Sequence, residues 1–168
     1  KIIKLWTEPE AYATKEALAE IKKADLIILG PGDLYTSILA NVIVQGIGSA
    51  IRESKGTVLY VNNLMTKHGQ TFDYKTSEHL KEIIKYVGRK PDIIVINKKR
   101  IPKTIKDYYW RIDKAKMIDD DLKSMPGIKI VRADLLSDKI YRKPTSDVLK
   151  RSLVRHDSAK LAKVICDF

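Results

Sequence analysis

A short apolar run that breaks off at Gly-Pro-Gly constrains this chain more than any other stretch: Leu26-Ile27-Ile28-Leu29, then Gly30-Pro31-Gly32-Asp33-Leu34-Tyr35-Thr36-Ser37. Four large aliphatic residues bounded by breakers read as a strand covered on both faces of a parallel sheet. Gly30 and Gly32 permit positive φ and close backbone approach, and Thr36 or Ser37 is placed to cap the helix that follows. In open α/β sheets ligands bind beyond the carboxyl ends of strands, where helix N-termini also offer free N–H groups to anions. The turn is therefore a candidate nucleotide or phosphate loop, although strand, glycine turn and capped helix also recur as a plain connection.

The rest of the chain alternates in the same way. Strands are expected at residues 2–6, 57–61, 92–96 and 128–131. A helix capped by Thr14 runs to Lys23 with Ala17, Leu18 and Ile21 on one stripe, and an apolar helix holds Ile38, Leu39, Val42, Ile43 and Val44. Gly46 and Gly48 interrupt it before a second piece through Glu53. Thr76 or Ser77 is placed to cap a helix to Val87 that buries Leu80, Ile83, Ile84 and Val87. Two more helices are expected near the C-terminus, one from about Thr145 or Ser146 and one capped by Asp157 that buries Leu161, Ala162 and Ile165. Residues 104–125 show no clear period; their Asp119-Asp120-Asp121 run points in successive directions and reads as solvated rather than as a metal cluster. The pattern predicts a single α/β domain over residues 1–168, a doubly wound, mostly parallel sheet with helices on both faces. Right-handed crossovers bring the strand ends at Gly30, Asn62 and Asn97 to one edge, a polar rim suited to a binding crevice.

Charge narrows the partners. The 32 Lys+Arg outnumber the 21 Asp+Glu, a formal charge of +11, and aromatics interleave with base at Tyr108-Tyr109-Trp110-Arg111. No RNA- or DNA-binding motif accompanies them, so nucleic acid is disfavoured against a solvated face, attraction of anionic nucleotides, or a patch that meets another domain. Cys166 is the single cysteine, which leaves no disulfide framework and no cysteine-based zinc site. The longest apolar runs fall far below the roughly 20 residues of a membrane-crossing helix, so a soluble, cytoplasmic protein is expected. The chain opens at Lys1 directly in strand-like sequence, and an upstream part is expected.

Three blocks resemble one family. Gly30-Pro31-Gly32-Asp33-Leu34-Tyr35-Thr36-Ser37-Ile38-Leu39-Ala40-Asn41 is similar to its GPGSLYTSxxPN signature. Asn63-Leu64-Met65-Thr66-Lys67-His68-Gly69-Gln70-Thr71 is similar to its NxMTQPGET, and Arg155-His156-Asp157 with Leu161-Ala162 to its terminal RHDxxxLA. This is the YvcK/CofD-like family, with the YvcK branch the nearer match. The resemblance implies a Rossmann-like fold and a full chain nearly twice as long, opening on a glycine-rich loop that is absent here, so that this chain corresponds to the C-terminal half. It further implies a nucleotide sugar, a UDP-sugar, as ligand, with that N-terminal half and further copies of the chain as partners. The YvcK branch implies a regulator of carbon flux, gluconeogenic growth, cell shape and cell-wall synthesis rather than an enzyme. The CofD branch implies a 2-phospho-L-lactate transferase of deazaflavin coenzyme biosynthesis, using a divalent metal such as magnesium.

Carried onto this sequence, the blocks give a ligand set of Gly30, Gly32, Asp33, Thr36, Ser37, Asn41, Asn63, Thr66 and Arg155, with no residue assigned to catalysis or to a metal. The glycines shape the turn, the Thr36 and Ser37 hydroxyls donate, the Asn41 and Asn63 amides read a base or sugar edge, and the Arg155 fork suits a diphosphate. His156 reads as a packed or capping residue, and His79 and Met65 as structural. This chain departs from the signature at Asp33, which replaces Ser and puts a carboxylate where phosphate would sit, favouring sugar hydroxyls, a base or a metal instead. Ala40 replaces Pro, Lys67-His68 replaces Gln-Pro and Gln70 replaces Glu, which adds positive charge able to offset Asp33.

Overall fold

Two strands rich in branched aliphatic residues, β2 (Thr57–Val61) and β3 (Ile93–Asn97), sit at the centre of a four-stranded sheet because they are apolar on both sides. The computed structural model describes residues 2–139 and 153–168. Its sheet runs in the order β1-β2-β3-β4, with β1 at Leu26–Leu29 and β4 at Lys129–Ala133, and every pairing is parallel. Alternate side chains feed two cores. Val58, Tyr60, Ile94 and Ile96 pack with Leu39, Val42, Ile51, Leu80 and Ile83 of α2 (Leu39–Val42), α3 (Ile47–Glu53) and α4 (Thr76–Val87). Leu59, Val61, Ile93 and Val95 pack on the opposite face with Leu161 of α6 (Ser158–Ile165). Helices thus cover both faces of a parallel sheet, the expected α/β architecture. Truncating a fully buried aliphatic such as Leu59, with no exposed surface, costs about 2–5 kcal/mol in such a core.

Several local expectations change. Residues 2–6 form no strand: Ile2 and Leu5 lean on the first core, while the Leu5 N–H is donated to the Tyr86 hydroxyl at 3.2 Å. A strand needs a partner backbone, and neither sheet edge offers one to this segment. β1 is an edge strand rather than one covered on both faces, with Ile28 43% exposed. Thr14 caps α1 (Lys15–Lys23) as expected, its hydroxyl accepting from the Ala17 N–H. Thr76 and Ser77, however, are the first residues inside α4, and the cap comes from far away: the Asp121 carboxylate accepts the Ser77 N–H at 2.9 Å and its hydroxyl at 2.6 Å. Its two neighbours are also engaged, Asp120 with Arg132 and Asp119 with Arg100. The acidic run is structural and divided in three directions. Residues 103–113 form a further helix, α5 (Lys103–Asp113), in the stretch with no readable period. Asp157 caps α6, but Ala162 is exposed and Val164 takes its place beside Leu161 and Ile165. The helix expected from Thr145 or Ser146 lies outside the described residues. No helix among them is long and apolar enough to cross a membrane.

His79, fully buried in α4, is held neutral because burial lowers its pKa below the ordinary value, the hydrogen bond to the Lys75 carbonyl pulling weakly the other way. The folded state therefore binds fewer protons than the unfolded state once pH drops below about 6.5, and stability is lost as pH falls. Urea unfolding is expected to give a constant free energy from pH 8 to 7 and a decline toward pH 5.5, at most about 1.4 kcal/mol per pH unit for each buried histidine. His79→Gln should lessen that decline, the remainder coming from the buried His156, and an unchanged slope would refute the assignment.

Candidate functional site

The parallel strands deliver Gly30, Asn62 and Asn97 to one edge of the sheet. At the first of these the chain turns through Gly30, whose φ is +93°; a side chain there would be strained and would bring its Cβ to 3.1 Å from the Val61 carbonyl. The turn then enters a π-helical segment, Leu34–Ile38, whose first free carbonyl is that of Asp33, accepting from the Ser37 and Ile38 N–H groups at 3.0 Å each. Thr36 and Ser37 do not cap it, because they lie inside it. Instead the Thr36 hydroxyl reaches back to Asp33 at 3.4 Å, and the Asp33 carboxylate pairs with the Lys67 ammonium across from it. The negative charge introduced at Asp33 is thus balanced by the positive charge introduced at Lys67.

Asn62 and Asn97 spend their amides on the fold. Asn62, 2% exposed, donates to the Thr76 hydroxyl at 3.1 Å and accepts from the Tyr60 hydroxyl at 3.3 Å, and its N–H bonds the Val95 carbonyl at 2.9 Å. The Asn97 side chain accepts the Leu135 N–H at 3.0 Å and donates to the Lys99 carbonyl at 2.7 Å. Leu135 in turn accepts the Asp157 N–H at 2.8 Å, Ser137 donates to the Arg155 carbonyl at 3.0 Å, and the Lys160 ammonium bonds the Leu136 carbonyl at 2.9 Å. This short antiparallel bridge brings Arg155 and His156 over the ends of β2 and β3. The His156 ring donates to the Asn62 carbonyl through Nδ1, since Nε2 has no partner among the described residues. Burial lowers its pKa to about 4, so the ring is neutral near pH 7 and Nε2 is an acceptor.

The segment after β2 is tied to 115–118: the Thr66 N–H is donated to the Lys116 carbonyl at 2.8 Å and the Thr66 hydroxyl accepts the Lys116 N–H at 3.0 Å, while the Ile118 N–H reaches the Leu64 carbonyl at 3.1 Å. Thr66 is consequently buried at 3% exposure, with its hydroxyl occupied. Asn63, just before it, keeps a buried Oδ1 without a partner among the described residues.

Two neighbouring cavities result. One, of about 580 Å³, is lined by Pro31, Gly32, Asp33, Asn63, Arg155 and His156 among others. The second, of about 420 Å³, lies along the open side of β1 and is lined by Gly30, Ser37 and Asn41 with mostly aliphatic neighbours. The structure therefore brings Gly32, Asp33, Asn63 and Arg155 together and sets Gly30, Ser37 and Asn41 beside them, the Asn41 amide donating to the Ser37 carbonyl at 2.6 Å. Thr36 and Thr66 line neither. Among the described residues no three His, Cys, Asp or Glu side chains gather as a metal site, and Asp33 is the one carboxylate on the first cavity. That donor set does not fit a divalent cation. The aromatic-basic stretch is dispersed by α5: Tyr109 is buried with its hydroxyl accepting the Val154 N–H at 2.9 Å, and Trp110 stacks on Phe72. Lys99 and Arg100 are paired with carboxylates as well.

The family model described as 2-phospho-L-lactate transferase CofD matches residues 1–136. The chain belongs to the CofD family. It is 32% identical over 155 residues to the gluconeogenesis factor of Bacillus subtilis, covering 90% of this chain and 45% of that one. To the gluconeogenesis factor of Halalkalibacterium halodurans it is 33% identical over 162 residues, 96% and 47% of the two chains. The crystal structure of a UPF0052 family member from Bacillus halodurans superposes with a TM-score of 0.81 at 31% identity, over 95% of this chain and 48% of that one. The chain spans about half the length of the curated relatives it matches. The match to the CofD family ends before Arg155 and His156, which adjoin the cavity from the far end of the sequence.

Sequence reasoning set His156 aside as packing. Its lone signal was its place between Arg155 and the Asp157 cap, which fixes its backbone but does not show which ring nitrogen is left over. Asn62 was visible only as a strand end. Replacing it is expected to be costly: Asn62→Ala should lower unfolding free energy by about 2–3 kcal/mol, whereas the exposed Thr36→Ala should change it by under about 0.5 kcal/mol. Equal effects in chemical denaturation would contradict the account of the Asn62 network.

Proposed function

We propose that this chain forms one side of a nucleotide-sugar site in a regulatory protein of the YvcK type, acting in the cytoplasm on carbon metabolism, gluconeogenic growth, cell shape and cell-wall synthesis. The observation that carries this reading is the first cavity: a guanidinium at Arg155 beside acceptor groups at Asp33, Asn63 and His156, at the carboxyl ends of parallel strands. A diphosphate suits the Arg155 fork, and sugar hydroxyls suit the acceptors. Relatives named gluconeogenesis factors, matched over most of this chain, support the same branch. The remaining residues of the relatives' length would close the site, and the protein is expected to work as a homo-oligomer.

A second reading, a 2-phospho-L-lactate transferase, is favoured by the name of the matching family model. The two differ in chemistry, because transfer requires an acceptor and the proposed regulator requires none.

Titration calorimetry of the whole polypeptide as encoded, at sub-millimolar UDP-N-acetylglucosamine or UDP-glucose, is expected to show saturable binding. Arg155→Ala should weaken it about 10- to 100-fold, the value of a charge-assisted pair. No heat with either ligand would refute the proposal, and phospholactyl transfer to a deazaflavin acceptor by the same preparation would select the enzyme.

A further inference from the structure

Asp33, Asn63 and His156 line one cavity, and each carries a hydrogen-bond acceptor. The Asp33 carboxylate is acceptor-only, the Asn63 Oδ1 is a buried acceptor with no partner among the described residues, and the His156 Nε2 is another. The His156 tautomer is fixed from behind by the Asn62 carbonyl, which takes the proton on Nδ1, and Asn62 is itself held by Thr76, Tyr60 and Val95. Buried acceptors without donors cost free energy, so a ligand that fills this wall must supply O–H or N–H groups to it.

The parts of a nucleotide sugar differ in what they can give. A diphosphate at pH 7 carries acceptors only and would be repelled. A uracil edge has one N–H between two carbonyls, so two of three acceptors would face oxygen. The ribose has two hydroxyls, fewer than the three acceptors of the wall, whereas the glucose ring of UDP-glucose has four, each able to donate. The cations beside this wall are Arg155, which lines the cavity, and Lys67, which pairs with Asp33.

Resting on the nucleotide-sugar reading above, we propose that the sugar ring docks on the Asp33–Asn63–His156 wall, and that His156 is a specificity-determining residue whose Nε2 accepts a sugar hydroxyl. A nucleoside diphosphate without the hexose leaves this acceptor unmet. The discrimination between UDP-sugar and UDP therefore lies at His156 rather than at Arg155, which serves both.

The test compares UDP-glucose with UDP by calorimetry on the whole polypeptide and on two variants. The native protein is expected to bind UDP-glucose at least about tenfold more tightly than UDP, one well-made hydrogen bond to a buried acceptor. His156→Phe should erase that preference and leave UDP affinity within about twofold, while His156→Gln, whose amide oxygen can still accept, should restore part of it. Equal loss for both ligands in both variants, or no loss in either, overturns the proposal while leaving nucleotide-sugar binding intact. Absence of binding by the native protein overturns both. A ligand-independent arm is nitrogen-edited NMR of the imidazoles: a proton on His156 Nδ1 is expected, and a proton on Nε2 in the free protein overturns the proposal alone.

Discussion

The hydrogen bonds of Asn62 hold the functional edge of this domain together. One buried residue at the end of β2 bonds β3 through its backbone, the first turn of α4 through Thr76, and the C-terminal segment through the imidazole of His156. Each of these elements comes from a different part of the chain, so no local preference could align them. Leaving any of the partners unmet in a buried place would cost about 1–3 kcal/mol, which is why the residue that ends the strand also sets the geometry of the cavity. Asn97 repeats the device one strand over, fixing Leu135 and through it Asp157.

The glycine turn acquires its meaning from this scaffold. A strand that ends in Gly-Pro-Gly before a helical segment invites comparison with phosphate loops, but the residue at the head of the segment is Asp33, and its carboxylate is tied to Lys67. The exposed pair, at 42% and 46% exposure, adds little stability. Its consequence is electrostatic: it removes net charge from the turn beside the cavity. Arg155 lines the same cavity from the other end of the sequence. The cavity thus joins a guanidinium to a carboxylate, an amide and an imidazole, the combination on which the proposed nucleotide-sugar site rests.

Much of the fold was legible in the sequence because its central strands are apolar at all but one terminal position each and its helices carry apolar stripes. Thr57–Val61 matches its expected limits, and α4 ends at the expected Val87, for that reason. What was not legible depends on distant partners. Residues 2–6 have strand-like composition but no strand to pair with, α5 buries only Tyr109 and so shows a weak stripe, and α4 takes its cap from Asp121, 44 residues on. The same division holds for the site. Its glycines, Asp33, Asn63 and Arg155 could be named from short motifs, but the filling of Thr66 by Lys116, and the spare nitrogen of His156, are tertiary facts.

We propose a crevice in which phosphate lies at Arg155 and sugar hydroxyls donate to Asp33, Asn63 and His156. A crystal structure of the whole polypeptide with UDP-N-acetylglucosamine tests it most directly. The account predicts the diphosphate within hydrogen-bond distance of the Arg155 guanidinium and the sugar ring against the Asn63 and His156 side chains. A diphosphate seated on the Gly30-Pro31-Gly32-Asp33 turn, or a ligand bound elsewhere, would contradict it.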